Sequence, residues 1–132
     1  MVSGISAALS GYDAAMTRLD VSASNIANQS STQRTDQNGG TVNAPYVPQQ
    51  VVQSSNANGG VTTSTQPVNP ASVSQYDPSN PGANAQGIVQ TPNVDLAQQL
   101  INTNVASYDA QANLKMIQTQ NDMMQQVLNI FT

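Results

Sequence analysis

Seven aspartates, Asp13, Asp20, Asp36, Asp77, Asp95, Asp109 and Asp122, are the only acidic side chains in the sequence, which contains no Glu, His or Cys. Carboxylates do acid–base work or hold a metal when two or more converge, and here no two stand closer than seven residues in the chain. An EF-hand loop needs oxygen ligands at alternate positions closed by Glu, and a Ser-His-Asp triad needs an imidazole. Neither can be built from this inventory. Gly39-Gly40 and Gly59-Gly60 lack the Lys of a phosphate-binding loop and read as hairpin turns. With no thiol or imidazole there is no Cys or His metal site and no disulfide. The aspartates read as solvated and helix-capping groups, and the chain as a non-enzyme without cofactor or metal.

The cations are equally sparse. Three Lys and Arg residues against seven acidic ones give a net charge of -4, with only 8% of the 132 residues charged. A nucleic-acid binder needs a concentrated basic face, so no nucleic-acid partner is expected. Amide and hydroxyl groups take the place of charge, with 15 Asn, 17 Gln, 14 Ser and 11 Thr. Such a surface can be buried against neighbours without the desolvation cost that ionised groups carry.

Three zones would position these groups, at 1-28, 29-92 and 93-132. In the first, Ile5, Leu9, Tyr12, Met16, Leu19, Ala23 and Ile26 follow alternating spacings of four and three. That is an a/d seam for packing along another helix, with Ser3 as its expected N-cap. The middle zone holds all seven Pro and six of the eight Gly. It reads as extended loops and short hairpin strands around Tyr46-Val47, Gln50 to Val52, Val61 to Thr63 and Gly87 to Val89, with Pro78 to Gly82 as a turn.

From Val94 to Phe131 there is neither Gly nor Pro, which predicts one long helix with Asn93 as N-cap and Asp95 in its first turn. Leu96, Leu100, Ala110, Leu114, Ile117, Met124, Leu128 and Phe131 share one register. Ile101, Val105, Tyr108, Ala112, Met116, Met123, Val127 and Ile130 form an adjacent stripe. A helix apolar on two sides contacts more than one neighbour. At about 1.5 Å per residue it would span about 57 Å, whereas a compact chain of this length is about 36 Å across. The expected architecture is therefore mainly α, an elongated pair of terminal helices forming a coiled-coil-like layer, within an assembly. No apolar run approaches the roughly 18 residues of a membrane span, and residues 1–20 lack the basic and continuous apolar regions of a cleaved signal peptide.

Specific strings go further. Arg18-Leu19-Asp20-Val21-Ser22-Ala23-Ser24-Asn25-Ile26-Ala27-Asn28 resembles the N-terminal signature of the axial proteins of the bacterial flagellar rod and hook. Tyr76 to Pro81, with Ala85, Gly87, Val89 and Pro92 to Asp95, is similar to the segment characteristic of the proximal-rod FlgC family. Asn102-Thr103, Ala106-Ser107, Gln111 to Asn113, Thr119 and Met123-Met124 continue the likeness. Gln99 stands where such proteins usually carry Glu, and Ala110 where they usually carry Tyr.

The resemblance implies a noncatalytic subunit of the basal-body rod, exported by the flagellar type III apparatus without a cleaved signal peptide and spanning the periplasm. It implies contacts with copies of itself, other rod subunits, the inner-membrane ring and rod-adaptor components, and torque transmitted towards the hook. On this reading Ile5, Leu9, Tyr12, Met16, Leu19 and Ile26 pack against Leu100, Leu114, Ile117, Met124 and Leu128. Asn25, Asn28, Ile101, Tyr108 and Met123 complete the expected interface. An unrelated secreted coiled-coil or export-system filament protein would share the helical pattern without the strings.

Overall fold

The computed structural model describes residues 2–32, 34–35, 41–57 and 59–130. Helix α1 spans Val2–Asn28, and three short hairpins follow it, β1 (Arg34–Thr35) with β2 (Thr41–Asn43), β3 (Gln49–Ser55) with β4 (Val61–Pro67), and β5 (Ser72–Tyr76) with β6 (Ile88–Pro92). Helix α2, Leu96–Ile130, closes the chain and runs antiparallel to α1. Among the described residues no helix is long and apolar enough to cross a membrane.

Both helices start at slightly different places from those the sequence suggested. Since α1 already includes Val2, Ser3 lies in its first turn and is not the cap. At α2 the cap is Asp95, whose Oδ1 accepts the backbone N–H of Gln98 at 3.1 Å, satisfying one of the donors a helix start leaves open. Asn93 is engaged elsewhere. Its N–H and side-chain amide donate to the carbonyls of Ala71 and Pro70, closing the end of the β5–β6 hairpin.

Seven consecutive residue pairs, from Gln49↔Pro67 to Ser55↔Val61, join β3 to β4. The turn uses Gly59 and Gly60, both at positive φ (87° and 86°), a region glycine enters without steric cost. Pro78 to Gly82 also forms a turn. The turn expected at Gly39-Gly40 lies outside the described residues, as do Asp36 and the end of the apolar register at Phe131. Tyr46-Val47, expected as strand, is irregular backbone. The flanking Pro45 and Pro48 have no N–H to give a ladder, and the Tyr46 N–H goes to Ser31 Oγ.

The core is thin and made of small side chains. Ala8, Ala14 and Ala15 on α1 and Ala106 on α2 are buried, together with Ser22 and Asn25. Helices faced with alanine and glycine approach closely but remove little apolar surface from water per residue. The large apolar side chains of the helices are mostly elsewhere.

Candidate functional site

The contact between α1 and α2 lies one residue away from the seam read in the sequence. On α1 Gly4, Gly11, Arg18 and Asn25 meet α2, and with the buried Ala8, Ala15 and Ser22 they repeat the four-three spacing of the apolar stripe one position earlier. On α2 it uses the row Gln99, Ala106, Asn113 and Gln120 at seven-residue steps. A side chain built at Gly4 would meet Gln120, and one at Gly11 would meet Asn113. At the other end Asn25 Nδ2 donates to Gln99 Oε1 at 3.3 Å.

Within one chain this corrects the expected packing of the α1 stripe against Leu100, Leu114, Met124 and Leu128, which are exposed, whereas Ile117 is half-buried between Asn113 and Gln120 on the side of α2 that faces α1. Large apolar groups on both helices would hold the backbones apart, whereas glycine and alanine let them meet and let the amides find partners. Leu9 is 51% exposed, Leu100 49% and Leu114 43%. Ile101, Tyr108, Met123, Met124 and Leu128 are exposed too, with Val105, Met116 and Val127 beside them. Ile5, Tyr12, Met16, Leu19, Ile26, Asn28 and Ile117 are half-buried. Asn28 Nδ2 donates to the Ser24 carbonyl within α1, at 2.9 Å.

Asn25 is the most heavily bonded of the expected residues, and only 1% exposed. Its Nδ2 donates to the Gln49 carbonyl at 2.7 Å and to Gln99 Oε1, while its Oδ1 accepts the Gln49 N–H at 3.0 Å and the Tyr46 hydroxyl at 3.1 Å. All four hydrogen-bonding positions of the amide are thereby used. One side chain thus ties α1, the first residue of β3 and α2. Gln99, set apart in the sequence, is the acceptor on α2.

Two further ties hold the β3–β4 hairpin along α1. Arg18 donates from Nη1 to Asp109 Oδ2 at 3.0 Å and from Nη2 to Gln53 Oε1 at 2.8 Å, spanning α1, α2 and β3. Near the turn, Ser10 Oγ accepts the Val61 N–H at 3.1 Å. Gly60 sits against Ser10 so closely that a Cβ would collide with its hydroxyl. Beside the Asn25 node a groove of about 400 Å³ is lined by Arg18, Gln50, Val51, Asn93, Asp95 and Asn102, among others. Its side chains offer amides and one residue of each charge, with no nucleophile beside a base. Among the described residues no group of three His, Cys, Asp or Glu converges to hold a metal.

Sequence reasoning named Asn25 but missed Gly4, Gly11, Asn113 and Gln120. The available signal was a second four-three row, of small residues, next to the apolar one.

The chain is 37% identical over 127 residues to the flagellar basal-body rod protein FlgC of Escherichia coli O6:H1, covering 92% of this chain and 90% of that protein. It belongs to the FlgC family of flagellar basal-body rod proteins. The FlgC of Salmonella typhimurium strain LT2 is 37% identical over 86% of this chain and 84% of its own length. FlgC of Bacillus subtilis strain 168 is 30% identical over 92% and 91%. Residues 85–130 match the family described as flagellar basal body rod FlgEFG protein C-terminal, which takes in β6 and α2. FlgC proteins form a structural rod family, and the chain is a structural subunit of the basal-body rod.

Proposed function

We propose that this chain builds the proximal part of the rod and passes motor torque towards the hook through helix–helix interfaces between subunits. The observation that carries the reading is the placement of the large apolar side chains. The helices pair through glycine, alanine and amides, so Leu9, Leu100, Ile101, Leu114 and Met116 are left on the outside of the pair. An apolar stripe of this extent is stable in water when a neighbour covers it. The expected interface positions Ile5, Tyr12, Met16, Leu19, Ile26, Ile117, Tyr108, Met123 and Met124 extend the same faces.

In this arrangement residues 1-28 and 93-132 are the axial segments, and 29-92 packs outward between subunits. Copies of the chain, other rod subunits, and inner-membrane ring and adaptor components are its partners in the basal body, across the periplasm. The flagellar type III apparatus exports it. Torque is then borne by many packed contacts, because close-packed interiors resist deformation. The charged side chains of the two helices are limited to Asp13, Arg18, Asp20, Asp109, Lys115 and Asp122, so few ionised groups must be stripped of water on assembly.

The test replaces the chromosomal gene in the source bacterium with one encoding Leu114→Asp or Leu100→Asp. Both side chains point away from the α1–α2 contact, so the purified variants keep the helicity of the parent. Rod assembly and swimming are lost. Normal swimming by both variants would refute the interface reading.

A further inference from the structure

The contact between the two helices contains a device for setting their axial position. Positions 4, 11 and 25 of α1 stand opposite 120, 113 and 99 of α2, in heptad steps on both helices. Each of these layers is matched in size or hydrogen bonding. Gly11 is the tightest case: a Cβ there would lie 2.7 Å from Asn113 Oδ1 and 3.0 Å from its Cγ and Nδ2. Asn113 is itself held, because its Nδ2 donates to the Asp109 carbonyl at 2.8 Å. At the opposite end Asn25 and Gln99 share a hydrogen bond, and between the two layers the bulky Arg18 lies on the row facing the small, buried Ala106.

A slip of one heptad, about 10.5 Å along the axis, breaks the match in either direction. If α2 moves so that Asn113 faces Gly4, then Gln99 meets Arg18 and Asn25 loses its partner on α2. If it moves the other way, Gln120 enters the space at Gly11 and Asn113 meets Arg18. The outer stripes of Leu, Ile and Met cannot supply this discrimination, since apolar attraction is non-directional. A buried polar residue in a helical seam is the known physical means of choosing one register.

We propose that the Gly11–Asn113 and Asn25–Gln99 layers are positioning pairs that fix the register of α1 against α2, and with it the phase in which the two outer apolar stripes are presented to neighbours. The registry itself is a property of one chain and holds whether or not the torque reading is right.

Because the sequence has no cysteine, engineered pairs act as a ruler in the full chain, assembled in cells and oxidised in place. Ala15→Cys with Ala110→Cys reports the register described. Ala15→Cys with Thr103→Cys, or with Ile117→Cys, reports a slip by one heptad. The first pair alone should give a high disulfide yield. In a Gly11→Leu background that yield should fall at least several-fold. If that variant fails to accumulate, Gly11→Ala provides the second measurement. It lowers the thermal midpoint of the purified chain and Asn113→Ala restores it, whereas Gly4→Ala, facing the flexible end of Gln120, does not lower it. Equal yields from all three cysteine pairs would overturn the proposal, as would an unchanged yield with Gly11→Leu or a Gly11→Ala loss that Asn113→Ala fails to rescue.

Discussion

Asn25 and Gln49 are joined by two hydrogen bonds, the Asn25 amide giving its Nδ2 hydrogen to the Gln49 carbonyl and taking the Gln49 N–H on Oδ1. A helical side chain thus serves the first residue of β3 as a neighbouring strand would. The helix pair and the central hairpin thereby share one anchor.

Removing that amide should be costly. Asn25→Ala leaves the Gln49 backbone groups, the Tyr46 hydroxyl and Gln99 without their shared partner, a loss of about 2 kcal/mol after partial replacement by water. Asn25→Asp should cost more at neutral pH, because a carboxylate would face the Gln49 carbonyl and Gln99 Oε1 where the amide donated. Burial raises the pKa of the new carboxyl in the folded state. Stability of this variant is therefore best in acid and falls as pH rises through and above about 4. Urea melts of both variants at pH 4 and pH 7 measure the difference; a pH-independent Asn25→Asp would contradict the assigned donor role.

Arg18 presents the opposite case. Its ion pair with Asp109 is partly open to water, at 26% and 50% side-chain exposure, and such pairs contribute less than about 1 kcal/mol. Arg18→Met keeps the aliphatic stem and should lower stability by no more than that, with the deficit shrinking in added salt as screening weakens the parent. Loss of several kilocalories per mole would mean that the bond to Gln53 on β3 carries the hairpin.

The two helices were legible in the sequence because long stretches free of Pro, with periodic apolar residues, admit little else. The Gly59-Gly60 turn was legible because its backbone needs positive φ. Strand β5 was missed, since Ser72, Ser74 and Gln75 give no apolar alternation; it forms because β6 offers Val89, which is 2% exposed, as an anchor. The helix seam was misread by one residue for a physical reason. Periodicity identifies the stripe that must be covered, not the molecule that covers it. In this family member Ile5 to Ile26 flank the intrachain contact, and Gly4 to Asn25 make it.

Asp77 gives a pH-dependent readout in the turn before β6. Its Oδ1 accepts the Ser79 hydroxyl at 2.6 Å and the Ser79 N–H at 3.2 Å. The hydroxyl bond foremost lowers the carboxyl below the usual aspartate range, against an opposing effect of desolvation. A depressed folded-state value stabilises the turn above the ordinary aspartate pKa, and that stabilisation is lost as pH falls through the lower folded value. In an NMR titration Asp77 should protonate at lower pH than an unstructured aspartate, and Ser79→Ala should move it upward. No shift on Ser79→Ala would place the cause elsewhere.

The end of α2 separates folding from assembly. Gly4, in the first turn of α1, already stands opposite Gln120, and α1 begins at Val2, so residues 123–130 continue past the start of the partner helix, and every one of them is exposed. About two turns of helix, some 12 Å long, carry Met123, Met124 and Val127 with their side chains exposed. Ending the chain after Gln120 should leave the Asn25 and Arg18 ties intact, and with them the melting midpoint of the purified protein. In the source bacterium the same truncation should abolish rod assembly, because the neighbour that covers this segment loses its contact. Swimming at parental speed by the truncated strain would show that the overhang is dispensable. A large fall in the melting midpoint would show instead that it supports the helix pair from within the chain.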